Sequence, residues 1–500
     1  MKHRFIKNQL LLIVLINIAT PLFAPLPVSR DLRNILSADV LQVSKLEEIL
    51  QKLCVILDIK KYESTFDGGL CVYNRGGENH DNETIKCWDH PLHITNSDTT
   101  FEGVNIIKLK ENITFKPNAN TTCPVTTQQA AIIVEKDDMT IDFSGFAIVM
   151  DGQKLVPNPP ATCTALSTCT DPGCIPAVHG VHIKPGIKNT RIISTQSENT
   201  HIRGSIKSFT GFGIYIEGDT GTSEQIDEVF VNNMRIYNCY NGIYAQHASH
   251  INITRTETNN NCNYNTVYGM QFMNVAELYI IGSQASSNQS CNNVYGIYMQ
   301  DTSNAFVQDT ETSRNMSSTT TVIGSTYGIY VTATNSTDSF ANTIKDCKVS
   351  RNICADTANS ECIGIYVGDD SAHNIIQSNL VISNSFAGTT NSPNAYGIRL
   401  NGSNFNEITE NKVGSNANLA TSGSSNPGIS DSLSAGSTSL FTSNVSFFNG
   451  YQGKDNYNIT FKSNVNETEN FSATIMYSAN LEGISTTPPV LGNLDIRKAL

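Results

Sequence analysis

The side chains that could carry chemistry recur at matched places along the chain. Asp301 and Asp369 each stand five residues after the glycine of a Gly-Ile-Tyr tract, Asp370 follows directly, and Glu217 and Asp219 end an earlier tract. Arg399 sits inside a later one, in the stretch AYGIRLNG. Glycoside hydrolysis uses two carboxyls about 5 to 9.5 Å apart. If successive tracts stack as strands, Asp301 and Asp369 lie two repeats apart, about 9.6 Å between backbones. Glu217 is three repeats from Asp301, about 14 Å, too far to partner it. The alternative reading of these acids is a set of solvated turn residues.

A second column lies two residues after each anchor glycine: His182, Tyr215, Tyr244, Gln271, Tyr298, Tyr330, Tyr366 and Arg399. The residues one and three after the glycine are apolar, so alternation turns this column outward. Tyr215, Tyr244, Tyr298, Tyr330 and Tyr366 then form a stripe repeating about every 4.8 Å. Phenol rings combine an apolar face with a polar edge, which suits sugars. Outward tyrosines that only support one another within the sheet are the competing reading.

Both columns require a repeating element to position them. The anchors Gly213, Gly242, Gly269, Gly296, Gly328, Gly364 and Gly397 are spaced 27 to 36 residues apart. Gly180 precedes them and Gly428 continues the series. So variable a period fits a coil whose corners take insertions. Each coil also carries a matched Asn, at Asn261, Asn288, Asn315, Asn352, Asn384, Asn416 and Asn449, with Cys239 in the first place. Five residues earlier stand Met234, Thr256, Ser283, Thr310, Cys347, Asn379, Asn411 and Asn444. Stacked coils would let each Asn bond its counterparts above and below, which satisfies a buried amide.

The Gly-Ile-Tyr tracts, the Asn ladder and the opening MTIDFSG at Met139–Gly145 resemble the right-handed parallel β-helix repeats of the pectin-lyase-like superfamily, over residues 101 to 450. The resemblance implies an all-β, right-handed parallel β-helix of ten to eleven coils. The same scaffold carries lyases, hydrolases, epimerases and non-catalytic binders, so it leaves the activity open. The Asp369–Asp370 pair is similar to the paired aspartates of β-helix polygalacturonases. The Gly-His-Gly and Arg-Ile-Lys tracts of those enzymes have no counterpart here. A pectate-lyase reading would take Asp369 and Asp370 toward Ca²⁺ and Arg399, one coil away, as base. Otherwise no cofactor and no metal site is implied.

Composition narrows the partners. Lys2, Arg4 and Lys7, the apolar run Leu10 to Ile18 and the small residues before Ala24 read as a signal peptide over residues 1–24, hence a secreted, periplasmic or surface location. A short amphipathic membrane anchor is the alternative. The run is too short to span a bilayer, which takes about 20 residues. With that segment go three cations and no acid, so the formal charge of −12 becomes −15. Nucleic acid, bound through cations, is excluded as a partner; a polysaccharide or surface glycan fits.

Leu46, Ile49, Leu50, Leu53, Ile56 and Leu57 recur at helical spacing, so an amphipathic helix over 38–60 is expected to cap the first coil within residues 25–100. A coiled-coil contact between protomers is the other role for it. Residues 451–500 are expected to close the far end. Thirteen cysteines in an exported chain predict structural disulfides, an odd one left over, and Cys347 as the unpaired thiol. His182, His247 and His250 lack metal-ligand spacing and are read as surface positions. Sequons at Asn82, Asn112, Asn252 and Asn458 are no more frequent than this Asn, Ser and Thr content produces.

The long connections Met316–Ser325, Ile353–Cys362, Ser385–Asn394 and Ala417–Pro427 leave from one corner and should line one edge. Three functions follow: an exported binder of glycans or a surface partner, a polysaccharide lyase or hydrolase acting near Asp301, Asp369 and Arg399, or a structural rod. The missing hydrolase tracts favour the first.

Overall fold

The computed structural model describes residues 70–74, 86–88 and 92–95, most of 105–447, and residues 457–459 and 474–475. All lie in one compact unit, Gly68–Leu500. The proposed signal peptide and the helix over 38–60 fall outside the described residues. Within them, no helix is long and apolar enough to cross a membrane.

The chain winds as a right-handed parallel β-helix. Its strands form a 23-stranded, a 12-stranded and a 5-stranded sheet, each running along the stack. The 12-stranded sheet takes one strand per coil, from Ile113–Phe115 to Thr474–Ile475. In the largest sheet two strips meet, joined by the long strands Asn241–Thr254 and Val267–Ile281. The glycine tracts form its first strip, and their register is unbroken. Tyr298 opposes Tyr330, Tyr330 opposes Tyr366, and Tyr366 opposes Arg399. The parallel pairing extends past residue 450, where Tyr457–Ile459 continues the strand Ile429–Ser432.

Alternation fills the interior. Ile297, Ile329, Ile365 and Ile398 follow the anchors and have no exposure, nor have Met299, Val331, Val367 and Leu400 two residues later. A single coil could not close this core; the stack makes it continuous. Short connections are made by single residues in the left-handed region. Ser287, Arg314, Arg351 and Ser383 have φ of 57°, 58°, 58° and 59°, each directly before a ladder Asn. That conformation is unfavourable for a residue with a Cβ. The bonds of the following Asn offset it.

Those bonds run the length of the stack. Asn261 Nδ2 donates to Asn288 Oδ1 at 3.0 Å, Asn288 to Asn315 at 2.9 Å, and Asn315 to Asn352 at 3.0 Å. Asn352 to Asn384 and Asn384 to Asn416 are 2.8 Å each, while Asn449 lies outside the described residues. Each Oδ1 also accepts the preceding Asn backbone N–H, as from Asn288 to Asn315 at 3.1 Å. A second ladder joins Asn379, Asn411 and Asn444, and a third, not read from the sequence, joins Asn342, Asn374 and Asn406.

The ladder also accounts for the anchor glycines. A Cβ on Gly296 would lie 2.5 Å from Gly328 O and 3.0 Å from Asn315 Nδ2. At Gly364 it would meet Val381 Cγ1 at 2.3 Å and Asn384 Nδ2 at 2.9 Å. Glycine and Asn are therefore two halves of one packing unit across the coil.

The long connections begin with order. Met316–Ser317, Ile353–Cys354 and Ser385–Phe386 are short strands of the 5-stranded sheet, so the insertions start two residues later than the sequence implies. The cysteines also differ from expectation. Cys347 is a free buried thiol, but so are Cys239 and Cys362, and Cys262 is free and half-buried. Cys291 is disulfide-bonded. Burial pushes the Cys239 and Cys347 thiols up to about 12, so both stay protonated and inert.

Candidate functional site

The outer surface of the first strip carries three parallel columns. Residues before the anchor glycine supply His179, Phe212, Asn241, Tyr268, Tyr295, Tyr327, Ile363 and Tyr396. Sequence reading missed this column, although the tyrosine before Gly269, Gly296, Gly328 and Gly397 was its signal. The residues two after the glycine form the second, the expected tyrosine stripe. Those four after it form the third, which includes Glu217, Gln246, Gln300 and Asn401.

Rings within a column stack. Tyr298 and Tyr330 have centroids 5.2 Å apart at 6°, and Tyr330 and Tyr366 are 4.6 Å apart at 12°. Tyr215 and Tyr244 stack at 5.0 Å, and Gln271 separates them from the later rings. The first column stacks likewise, Tyr268 on Tyr295 at 5.2 Å and Tyr295 on Tyr327 at 5.0 Å. The two columns meet edge to face: Tyr295 lies at 77° to Tyr298, and Tyr327 at 77° to Tyr330. Each ring face is thus covered by its neighbours one coil away. What remains at the surface is ring edges, with Tyr298 and Tyr330 half-buried and Tyr215, Tyr244 and Tyr366 nearly covered.

The hydroxyls point to the third column. Tyr298 OH donates to Gln300 Oε1 at 2.7 Å, Tyr244 OH donates to Gln246, and Asn401 Nδ2 donates to Tyr366 OH at 3.1 Å. Burial, with Tyr268 and Asp301 nearby, pushes the Tyr298 phenol up to about 12. Tyr244, Tyr295 and Tyr327 move in the same direction, chiefly by burial. These phenols are neutral at physiological pH, each a donor and acceptor beside an amide.

Of the candidate catalytic residues, Asp301 and Arg399 are described and stand three coils apart. Asp301 occupies a left-handed corner with φ 51°, its carboxylate accepting the Thr334 backbone N–H at 2.6 Å and the Thr334 hydroxyl at 3.0 Å. It ties one coil to the next. Arg399 is three coils further on and forms an ion pair with Glu361, a partner the sequence reading did not identify. Its guanidinium lies 4.8 Å from the Tyr396 ring centroid and 6.0 Å from that of Tyr366. Burial works against the Arg399 charge, but Glu361 more than compensates and raises its pKa. Glu361 also accepts the Tyr327 hydroxyl at 3.0 Å. Asp369 and Asp370 lie outside the described residues.

At the other end of the face, His182 is a correction to the surface reading. It is 2% exposed, and so is His179. His182 Nε2 stands 3.2 Å from Glu217 Oε2, while His179 Nδ1 accepts the Phe212 N–H at 3.0 Å. His179 stacks on Tyr215 at 4.4 Å. Burial, helped by Lys184, pushes both imidazoles down to about 3, so both are neutral near pH 7. Of the other two histidines, His250 is exposed and His247 half-buried. Among the described residues no group of three or more His, Cys, Asp and Glu could hold a metal ion.

The family comparison meets this geometry in the coils that build the face: residues 212–394 match the model of the right handed beta helix region. The described residues carry the right-handed parallel β-helix fold. No curated protein matches this β-helix chain. Among solved structures, the β-helix is similar to the periplasmic alginate epimerase AlgG, with a TM-score of 0.41 and 12% identity over 79% of this chain and 94% of that one. It is similar to the A-module of the Azotobacter vinelandii mannuronan C-5 epimerase AlgE4, with a TM-score of 0.32 and 11% identity over 70% and 88%. A mutant tailspike protein of E. coli bacteriophage HK620, in complex with a pentasaccharide, is similar with a TM-score of 0.31 and 13% identity over 75% and 70%.

Proposed function

We propose that this β-helix is an exported, non-catalytic protein that binds a glycan along the three-column face. The observation that carries the reading is the pairing of stacked rings with side-chain amides: Tyr244–Gln246 and Tyr298–Gln300 within a coil, and Tyr366–Asn401 between neighbouring coils. Such a surface offers apolar ring edges next to neutral donors and acceptors, and an oligosaccharide needs both. A chain of sugars lying along the coil axis would meet rings at most coils and an amide beside a ring at three places.

Of the residues considered for cleavage, the two that are described, Asp301 and Arg399, are held by structural partners, which favours binding. Asp301 is engaged by the Thr334 backbone and hydroxyl, and Arg399 by Glu361. Both groups already serve neighbouring coils.

The test is affinity electrophoresis of the full chain through gels holding single polysaccharides, with product assays in parallel, with and without Ca²⁺. Retardation by at least one polysaccharide, with no new reducing ends and no unsaturated products, is the expected result. Product formation abolished by Asp369→Asn would replace this reading with the lyase or hydrolase one.

A further inference from the structure

The glycan-binding reading leaves the ligand's charge open, and the side chains of the face address it. Among the described residues its acids are Glu135, Glu217, Asp301 and Glu361, and its cations are Lys184 and Arg399. Lys184 stands at the N-terminal edge, where its backbone N–H bonds Val134, the residue before Glu135. Arg399 is the one cation within the tyrosine columns, and Glu361 pairs with it. The imidazoles of His179 and His182 are neutral, as derived above.

We propose that the polysaccharide taken by this face is uncharged, and that Glu361 excludes polyanions by occupying the guanidinium of Arg399. The proposal rests on the glycan-binding reading. A uronate or sulfate brought onto the tyrosine columns loses its hydration and meets there only Arg399, already paired with Glu361, which is costly. It would also approach carboxylates, and a chain of formal charge −12, which lowers the encounter rate. Sugar hydroxyls meet no such barrier, because phenol and amide exchange hydrogen bonds with them in either sense. Glu361 is well placed for this role: it holds Arg399 on one side and accepts from Tyr327 on the other, so its position is fixed from two coils. Rejecting a wrong ligand by a fixed like charge is a recognised route to specificity.

Two probe sets test it: galactomannan, mixed-linkage β-glucan and dextran as uncharged polymers, and polygalacturonate and dextran sulfate as polyanions. Wild type is expected to be retarded by an uncharged polymer, with little dependence on salt, and not by the polyanions. Glu361→Gln keeps the side chain's shape and an acceptor for Tyr327 but frees Arg399. It should gain polygalacturonate binding of at least about tenfold, the scale of one charge-assisted contact, and lose that gain at high salt. Wild type retarded by polygalacturonate in a salt-sensitive way would overturn the charge inference while leaving the face as a glycan site. Retardation by neither set would remove the glycan reading and the inference with it. If Glu361→Gln melts like wild type yet gains nothing, Glu361 is not the excluding group. Should the variant fail to fold, the wild-type salt dependence still decides the ligand's charge.

Discussion

The Asn ladder and the tyrosine columns run through the same coils in the same register, one inside the stack and the other outside. Both pile like side chains at one coil spacing. They differ in what is left over. Every amide of Asn288, Asn315 and Asn352 donates and accepts within the ladder, and none has any exposure. The tyrosines cover one another's faces but leave edges, hydroxyls and the neighbouring Gln300 or Asn401 at the surface. Stacking alone is therefore no sign of function. Unused hydrogen-bonding capacity at a surface is.

The sharpest separation comes from Asn315→Ala. It removes the acceptor of the Asn288 N–H and one of the two acceptors of its Nδ2, which keeps only Thr258 O, and each donor hydrogen left buried and unpaired costs about 1–3 kcal/mol. A loss of about 3 kcal/mol or more is expected, read as a lower urea midpoint, with glycan retardation unchanged below the transition. An unchanged midpoint would mean the ladder contributes nothing beyond what solvent supplies.

Next comes acid. His179 and His182 are held near 3 in the fold, against about 6.5 in an unfolded chain. Between those values the unfolded state binds more protons, so stability falls as pH drops and is fully present only above about 6.5. The melting temperature should decline steadily from pH 6.5 toward 3, and His179→Phe should flatten the slope. An identical slope in the variant would show that His179 takes no part.

The tyrosine pair inverts the ladder result. Tyr298→Ala with Tyr330→Ala removes two stacked contacts, four edge-to-face contacts and the Gln300 partner, at about 0.5–1.5 kcal/mol for each ring pair. Retardation by the uncharged polymer should disappear. Binding that survives intact would take the ligand off the tyrosine face.

The legibility of each region follows the same divide. The Asn column and the anchor glycines were readable because each residue type is fixed by its contact with the next coil, as Gly296 is by Asn315. The third ladder went unread because its members Asn342, Asn374 and Asn406 stand at a corner where earlier coils have Ala305 or Leu278. On the face, the second column was legible through alternation. The Arg399–Glu361 pair was not, because Glu361 reaches it from the preceding strand, at the end of a variable-length connection. Burial of His182 was hidden for a related reason: outward alternation places it on the surface, and Tyr215, in the next coil, packs edge-on against it.

The smallest effect belongs to His250, and its sign is the useful part. Its Nδ1 lies 2.7 Å from Asp227 and its Nε2 2.9 Å from Glu277, so one imidazole bridges two carboxylates at an exposed corner. The hydrogen bond it donates to Asp227 raises its pKa, opposite to His179. The folded state then holds the proton more tightly than the unfolded one. That contribution is present below about 6.5 and is lost as pH rises through the folded value. Water screens so exposed a group, so His250→Gln should shift the urea midpoint by less than about 0.5 kcal/mol. What distinguishes it is direction: the loss should be seen near pH 5 and vanish near pH 9, whereas His179→Phe narrows the acid loss. If both variants change the pH profile in one sense, burial does not set the charge of the inner histidine.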